Sequence, residues 1–243
     1  MRIGIIGRGT IGGALAAGLE RHEGVASIDA TTRASSHRNV ALAGASDVIV
    51  VCVKPRDVEP VVREIAPTLV AEQVLISAAA SIGVGQLREW SDDRARIVRV
   101  MPNTPARIGS AMTVLARERQ TCDLALETAR SLFATFGRTA VVEESKMDAV
   151  TAISGCGPAY AFVVMEALID AAIALGLGYE QARELVAQTM LGSAQLVLEG
   201  ALHPAELRHE VATPAGRTIR GLIELERGGL RATLINAALA AAG

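Results

Sequence analysis

Aromatic side chains are scarce: Trp90, Phe133, Phe136, Tyr160, Phe162 and Tyr179 are the only six among 243 residues. So few, so scattered, cannot form the stacking platform of a single-strand nucleic-acid binder. An excess of one charge is missing as well. With 24 Lys and Arg against 26 Asp and Glu the formal charge is −2, without the basic footprint of a nucleic-acid or anionic-membrane partner. Neither nucleic acid nor membrane is therefore predicted as a partner. Cysteine is sparse and odd in number. Cys52, Cys122 and Cys156 lie far apart, and none falls into a CxxC or HExxH cluster with His22, His37, His203 or His209. A disulfide scaffold or zinc site is not expected; three reduced, mostly buried thiols and no metal are. The longest uncharged stretch, Ala149–Met165, holds Ser154, Gly155, Gly157 and Pro158 and reads as too short for a membrane span. Met1-Arg2 runs straight into Ile3-Gly4-Ile5-Ile6 without the order of a secretory leader. The expectation is a soluble, cytoplasmic protein.

What is present is aliphatic. Half of the residues are hydrophobic and 23 are Gly, enough to bury a core and to let helices and sheets pack closely. Strands are predicted at Arg2–Ile6, Ala26–Thr31, Val48–Val53, Val74–Ser77 and Ile97–Met101. Helical or broken segments lie between them, at Ile11–Arg21, Ser35–Gly44, Val58–Leu69 and Val84–Trp90. This alternation predicts an α/β, Rossmann-type doubly wound parallel sheet. Ala111–Ala116, Cys122–Phe136 and Thr139–Val142 read as the strand, helix and strand that finish it. Beyond Glu144 the texture is all helical: Met147–Leu175, with Pro158 as a kink, then Tyr179–Glu199, Pro204–Val211 and Ala215–Ala242. The expected domains are 1–145, which binds a dinucleotide, and 146–243, an all-α domain for dimerisation and substrate. So much apolar helix is poorly covered in a monomer, which makes Ala167–Ile173 and Val186–Leu198 candidate interface faces.

Gly7-Arg8-Gly9-Thr10-Ile11-Gly12 is a G-x-G-x-x-G run between a strand and a helix. Gly7 allows a tight turn, Gly9 a close backbone approach to a pyrophosphate, and Gly12 close packing of helix on strand. The pyrophosphate is expected on the amides that open the helix, at Thr10, Ile11 and Gly12. The end of the second strand selects the cofactor. If it ends near Thr31, its tip offers Thr32 and Arg33 to a 2′-phosphate and favours NADPH; if it ends earlier, Asp29 takes a ribose hydroxyl and favours NADH. Val53-Lys54-Pro55 ends a strand at the ligand-binding edge, with Lys54 toward the cofactor. Two prolines around Asn103 and Thr104 predict a rigid turn whose side chains reach a nicotinamide ribose or carboxamide. Farther on, Thr213-Pro214-Ala215-Gly216-Arg217-Thr218 opens the last helix. Free amides from Ala215 to Thr218 and two threonine hydroxyls suit a carboxylate, and equally suit an ordinary helix cap. Glu166 and Asp170 stand one helical turn apart and read as a solvated face rather than an acid/base pair.

These segments together resemble the pyrroline-5-carboxylate reductase family. The resemblance rests on the glycine run, Val53–Pro55, Met101–Pro105, Ser154-Gly155-Cys156-Gly157-Pro158-Ala159-Tyr160, and Thr213–Ile219. It implies NAD(P)H as hydride donor, L-1-pyrroline-5-carboxylate as acceptor, and a homodimer that associates further. It also implies that Gly216 and Arg217 amides hold the substrate carboxylate while Thr218 hydrogen-bonds the ring nitrogen. Three positions depart from the family pattern: Ala215 replaces a glycine, Cys156 a serine, and Arg217 a smaller residue. Two alternatives stand beside this reading, a reductase of another cyclic imine and a non-catalytic NADP-binding paralogue. A hydroxy-acid dehydrogenase would carry a catalytic Lys between Met147 and Leu175, where there is none.

Overall fold

The structure is a computed structural model and describes residues 1–20 and 22–243. Arg21, the expected end of the first helix, lies outside the described residues. The first compact unit spans Met1–Pro158 and the second Ala159–Ala241.

In the first unit the chain runs β1 (Arg2–Ile6), α1 (Thr10–Leu19), β2 (Ser27–Thr31), α2 (Asn39–Ala45), β3 (Val48–Val51), α3 (Pro55–Ile65), β4 (Val74–Ser77), α4 (Val84–Trp90) and β5 (Arg96–Met101). β6 (Ala111–Arg117), α5 (Asp123–Ala134), β7 (Gly137–Glu143) and the short α6 (Met147–Val150) follow. The seven strands form one sheet in the order β2-β1-β3-β4-β5-β6-β7. β1 to β5 are mutually parallel, as the alternation predicts. β6 joins β5 antiparallel, and β7 then pairs parallel with β6. The sheet is thus the expected doubly wound one, finished by β6 and β7 with a single antiparallel step. The link from Met101 to Ala111 carries only a 3₁₀ turn, Thr104–Ile108, too short for the helical crossover a parallel return requires.

Central strands read as unbroken apolar runs because both faces are covered. Ile3, Ile5, Val48, Val50 and Ile76 face one layer with Leu15, Leu19 and Phe133. Ile6, Ile49, Val51 and Leu75 face the other, with Val58, Val62, Ile65 and Trp90. Phe133 and Phe136 meet edge to face at 5.3 Å, a favourable aromatic geometry.

The predicted helix over Met147–Leu175 is interrupted. α6 passes into a π turn at Thr151–Gly155, and α7 (Gly157–Ala174) starts afresh with Pro158 in its first turn, where a missing amide costs nothing. By length and composition the helical run Glu144–Ala174 is nevertheless long and apolar enough to cross a membrane, which corrects the expectation from the uncharged stretch alone. α8 (Tyr179–Glu199) and α9 (Pro204–Val211) follow. The expected last helix is two, α10 (Arg217–Arg227) and α11 (Leu230–Ala242), parted at Gly228-Gly229, where Gly229 takes φ +69°. Such a left-handed link is easy for glycine and ends a helix. Of the residues in α7, α8, α10 and α11, Ala182 alone is buried. Leu191, Leu196 and Leu198 are each more than half exposed in the single chain.

Candidate active site

The glycine run behaves differently at each position. Gly7 has φ +101°, and its amide donates to the Thr31 carbonyl at 3.1 Å. A Cβ on Gly12 would stand 2.0 Å from the Gly7 carbonyl oxygen, so α1 rests directly on the turn. A Cβ on Gly9 would meet nothing within 4 Å. The space over Gly9 is therefore open, and Gly9 is the N-cap of α1, with no side chain closing the end and no carboxylate in the first turn. The amides of Thr10 and Ile11 open the helix without an intrahelical acceptor. This donor set fits a dinucleotide pyrophosphate.

A cleft of about 490 Å³ extends from this turn between the ends of β2 and β3, on either side of β1. Gly7, Gly9, Thr32, Arg33, Val53 and Lys54 line it, as expected from sequence, together with Arg8 and Arg56. Pro55 does not line it; it is the first residue of α3, three residues before the predicted helix start, with Lys54 as N-cap. Proline at the first helical position is a start signal rather than a stop. Arg8, Arg33 and Lys54 have no carboxylate within 4.0 Å among the described residues. Asp57 is the one carboxylate among the described lining residues. β2 ends at Thr31, the later of the two boundaries considered. Asp29 is held by Arg38 at 2.7 Å and does not line the cleft. The 3₁₀ turn Arg33–Arg38 that carries Arg33 is closed by the Thr32 amide donating to Ser35 Oγ at 2.8 Å.

Cys52 also lines the cleft, half-buried and packed on the core, and burial pushes its thiol up to about 12. The ordinary value is 9.0, so the unfolded chain loses this proton first. Stability from this group is intact below pH 9 and is lost progressively from there toward pH 12, by at most about 1.4 kcal/mol per pH unit. Melting temperature is expected to fall less steeply above pH 9 in Cys52→Ala than in the parent chain. Parallel curves would remove the assignment.

Asn103 is placed elsewhere. Its Nδ2 donates to the Ser154 carbonyl at 3.2 Å, and its Oδ1 accepts from the Met112 amide at 3.0 Å. The side chain thus ties the β5–β6 link to β6 and to the π turn, and it does not line the cleft. Sequence pointed to a rigid turn and found one, but the amide supplies the rigidity itself.

In the second unit, the Gly216 amide donates to the Thr213 carbonyl at 3.0 Å. That closes a β-turn with Pro214 and Ala215 at its centre. Ala215 has φ +56°, and proline cannot adopt positive φ, so the turn is type II, whose third position favours glycine. The departure at Ala215 is therefore strained backbone rather than a shifted loop. Gly216 is the N-cap of α10, and a Cβ on it would stand 2.2 Å from Thr213 Oγ1. Arg217 and Thr218 open the helix, with no acidic residue in the first turn. Thr218 is half-buried, and its hydroxyl makes no hydrogen bond among the described residues. Ala215→Gly is expected to stabilise the chain by about 1 kcal/mol, raising Tm by roughly 2–4 °C. An unchanged or lower melting temperature would show that the turn is not strained. Glu166 and Asp170 are both exposed in the single chain.

Comparison with known proteins places both units. Residues 144–243 match the family model for pyrroline-5-carboxylate reductase dimerisation, and residues 2–81 that for coenzyme F420-dependent NADP oxidoreductase. The chain is 37% identical to the pyrroline-5-carboxylate reductase of Corynebacterium melassecola, over 99% of its own length and 96% of the relative's. With the enzyme of Methanosarcina acetivorans it shares 35% identity, over 99% and 95%. The crystal structure of Plasmodium falciparum pyrroline carboxylate reductase with NADP bound superposes with a TM-score of 0.89 at 31% identity, covering 100% of this chain and 95% of that one. A ketol-acid reductoisomerase at 16% identity and a TM-score of 0.62 shares the fold alone. With a third of its residues shared with such relatives over nearly its whole length, the chain belongs to the pyrroline-5-carboxylate reductase family.

Proposed function

We propose that the chain reduces the C=N bond of L-1-pyrroline-5-carboxylate to give L-proline, the last step of proline biosynthesis, with NADPH preferred and NADH accepted. Its class, an NAD(P)H-dependent oxidoreductase, follows from the family. The observation that carries the substrate is the Thr213–Thr218 turn: the opening Arg217 amide of α10 beside a half-buried Thr218 hydroxyl with no hydrogen-bond partner among the described residues. The Arg217 amide holds the carboxylate there, with the Arg217 charge and the Thr213 hydroxyl beside it; the Gly216 amide, expected free, is instead spent on the Thr213 carbonyl that closes the turn. Thr218 holds the ring nitrogen. The bound dinucleotide supplies the hydride. The cyclic imine, readily protonated to an iminium, needs no Ser/His/Asp or paired-carboxylate machinery, and what the chain provides is orientation.

The cleft's charge supports NADPH. Arg8, Arg33, Lys54 and Arg56 stand against Asp57 alone, and the Plasmodium relative was crystallised with NADP. A functional division at 145/146 agrees with a dimerisation match that begins at residue 144. The exposed apolar faces of α7 and α8 are the surface for a homodimer, with dimers associating further. The cytoplasm, where NADPH is kept reduced, is the fitting compartment. Mixing the protein with NADPH and racemic pyrroline-5-carboxylate tests the reading. Substrate-dependent loss of reduced-cofactor absorbance together with proline formation is expected. Cofactor binding without turnover would instead leave a binding paralogue or another imine.

A further inference from the structure

Arg33 is not the only guanidinium that lines the cleft. We propose that Arg56, on the first turn of α3, is a second ligand of the cofactor's 2′-phosphate, across the cleft from Arg33. The inference rests on the dinucleotide reading of the cleft. The order β2-β1-β3 places the β2 end and the segment after β3 on the two sides of β1, and the cleft is lined from both. Arg33 comes from the first wall and Arg56 from the second.

The charges point the same way. A phosphomonoester carries about −1.5 to −2 near neutral pH, more than one guanidinium neutralises. Arg33 has no carboxylate within 4.0 Å among the described residues, and Arg56 has only its chain neighbour Asp57 at 3.9 Å, while its own side chain is 71% exposed. The carboxylate that would repel a phosphate at the β2 end, Asp29, is already neutralised by Arg38 at 2.7 Å.

The walls are tied together by a hydrogen-bond chain that is buried at Thr31 and Asn39 and ends on the exposed Glu64. Thr31 Oγ1 donates to Asn39 Oδ1 at 2.7 Å, and Asn39 Nδ2 donates to Glu64 Oε2 on α3 at 3.1 Å. Thr31 and Asn39 are 1% and 2% exposed. This bolt crosses from β2 through α2 to α3. It ends on the helix that carries Arg56, so the backbone segments that bear the two arginines are already linked before any cofactor binds.

Calorimetric titration with 2′,5′-ADP and with 5′-ADP isolates the 2′-phosphate from the rest of the cofactor and from turnover. The intact chain is expected to bind 2′,5′-ADP about 100-fold more tightly than 5′-ADP, the scale of two charge-assisted hydrogen bonds. Arg33→Ala and Arg56→Ala should each reduce that ratio about tenfold and leave the 5′-ADP affinity within about twofold. Arg63→Ala removes the same charge from the same helix outside the cleft lining and should leave the ratio unchanged. The proposal is overturned if Arg56→Ala keeps the ratio that Arg33→Ala loses. It is equally overturned if Arg63→Ala costs as much as Arg56→Ala, since the effect is then a long-range field. A chain that binds NADH and 5′-ADP but shows no preference for 2′,5′-ADP refutes the arginine pair and spares the dinucleotide reading. One that binds neither NADPH nor NADH refutes both.

Discussion

Gly12→Ala is expected to raise the Kd for NADPH at least about 100-fold and to destabilise the chain by about 1–3 kcal/mol, the range for overpacking a filled site. The added Cβ would stand 2.0 Å from the Gly7 carbonyl oxygen, 3.1 Å from its carbon and 3.3 Å from Cys52 Cβ. None of these is the free end of a flexible side chain, so α1 must lift from the turn. α1 is held there by Leu15, Ala16 and Leu19, all buried, and lifting it opens gaps beneath them. It also carries the Thr10 and Ile11 amides away from the pyrophosphate position. Two neighbours separate packing from ligand approach. Gly9→Ala meets nothing within 4 Å, so it should fold normally and lose dinucleotide affinity. Gly13→Ala, inside α1 with equally open surroundings, should gain roughly 0.5–1 kcal/mol from helix propensity. Thermal melts and fluorescence titration with NADPH distinguish the three. Parent-like binding by Gly12→Ala would show that the helix seat does not set the site.

The same physics explains what the sequence made legible. β1, β3 and β4 are interior strands with both faces covered, so each is dominated by Ile, Val or Leu, and alternation with helices identifies them as parallel. Helix ends were less legible, because Gly and Pro act by position. Pro55 begins α3 rather than delaying it, Pro158 begins α7 rather than bending it, and Gly228-Gly229 divides what reads as one apolar helix. The direction of β6 depends on the length of its link to β5, which periodicity does not weigh. At the site, the glycine run and Arg33 were readable because their chemistry is local. Arg8 and Arg56 were not singled out, although Arg8 stands inside the glycine run and Arg56 directly after Pro55. Their significance comes from the common cleft. Asn39 is harder still, since its two partners are eight and 25 residues away.

Thr218→Val is expected to lower kcat/KM for pyrroline-5-carboxylate by about 10²–10³, the scale for losing one preorganised hydrogen bond at a reacting group. Valine keeps the shape and β-branching of threonine and removes only the hydroxyl. That hydroxyl has no partner among the described residues, so its loss leaves no orphaned group and should not change the melting temperature. Dinucleotide affinity should also hold, because the cleft's lining comes wholly from the first unit. The division between kinetic constants then reports the role. A hydroxyl that merely holds the ring raises KM and leaves kcat alone; one that fixes the nitrogen during hydride transfer lowers kcat. The second pattern is expected, since the opening amide of α10 already anchors the carboxylate and a ring held at one end can still rotate. Thr218→Ser restores the oxygen with more rotamer freedom and should recover kcat/KM to within about tenfold of the parent, a loss of about 1.4 kcal/mol in the transition state. Valine and parent kinetics that coincide would take Thr218 out of the reaction and leave the helix N-terminus alone to orient the imine.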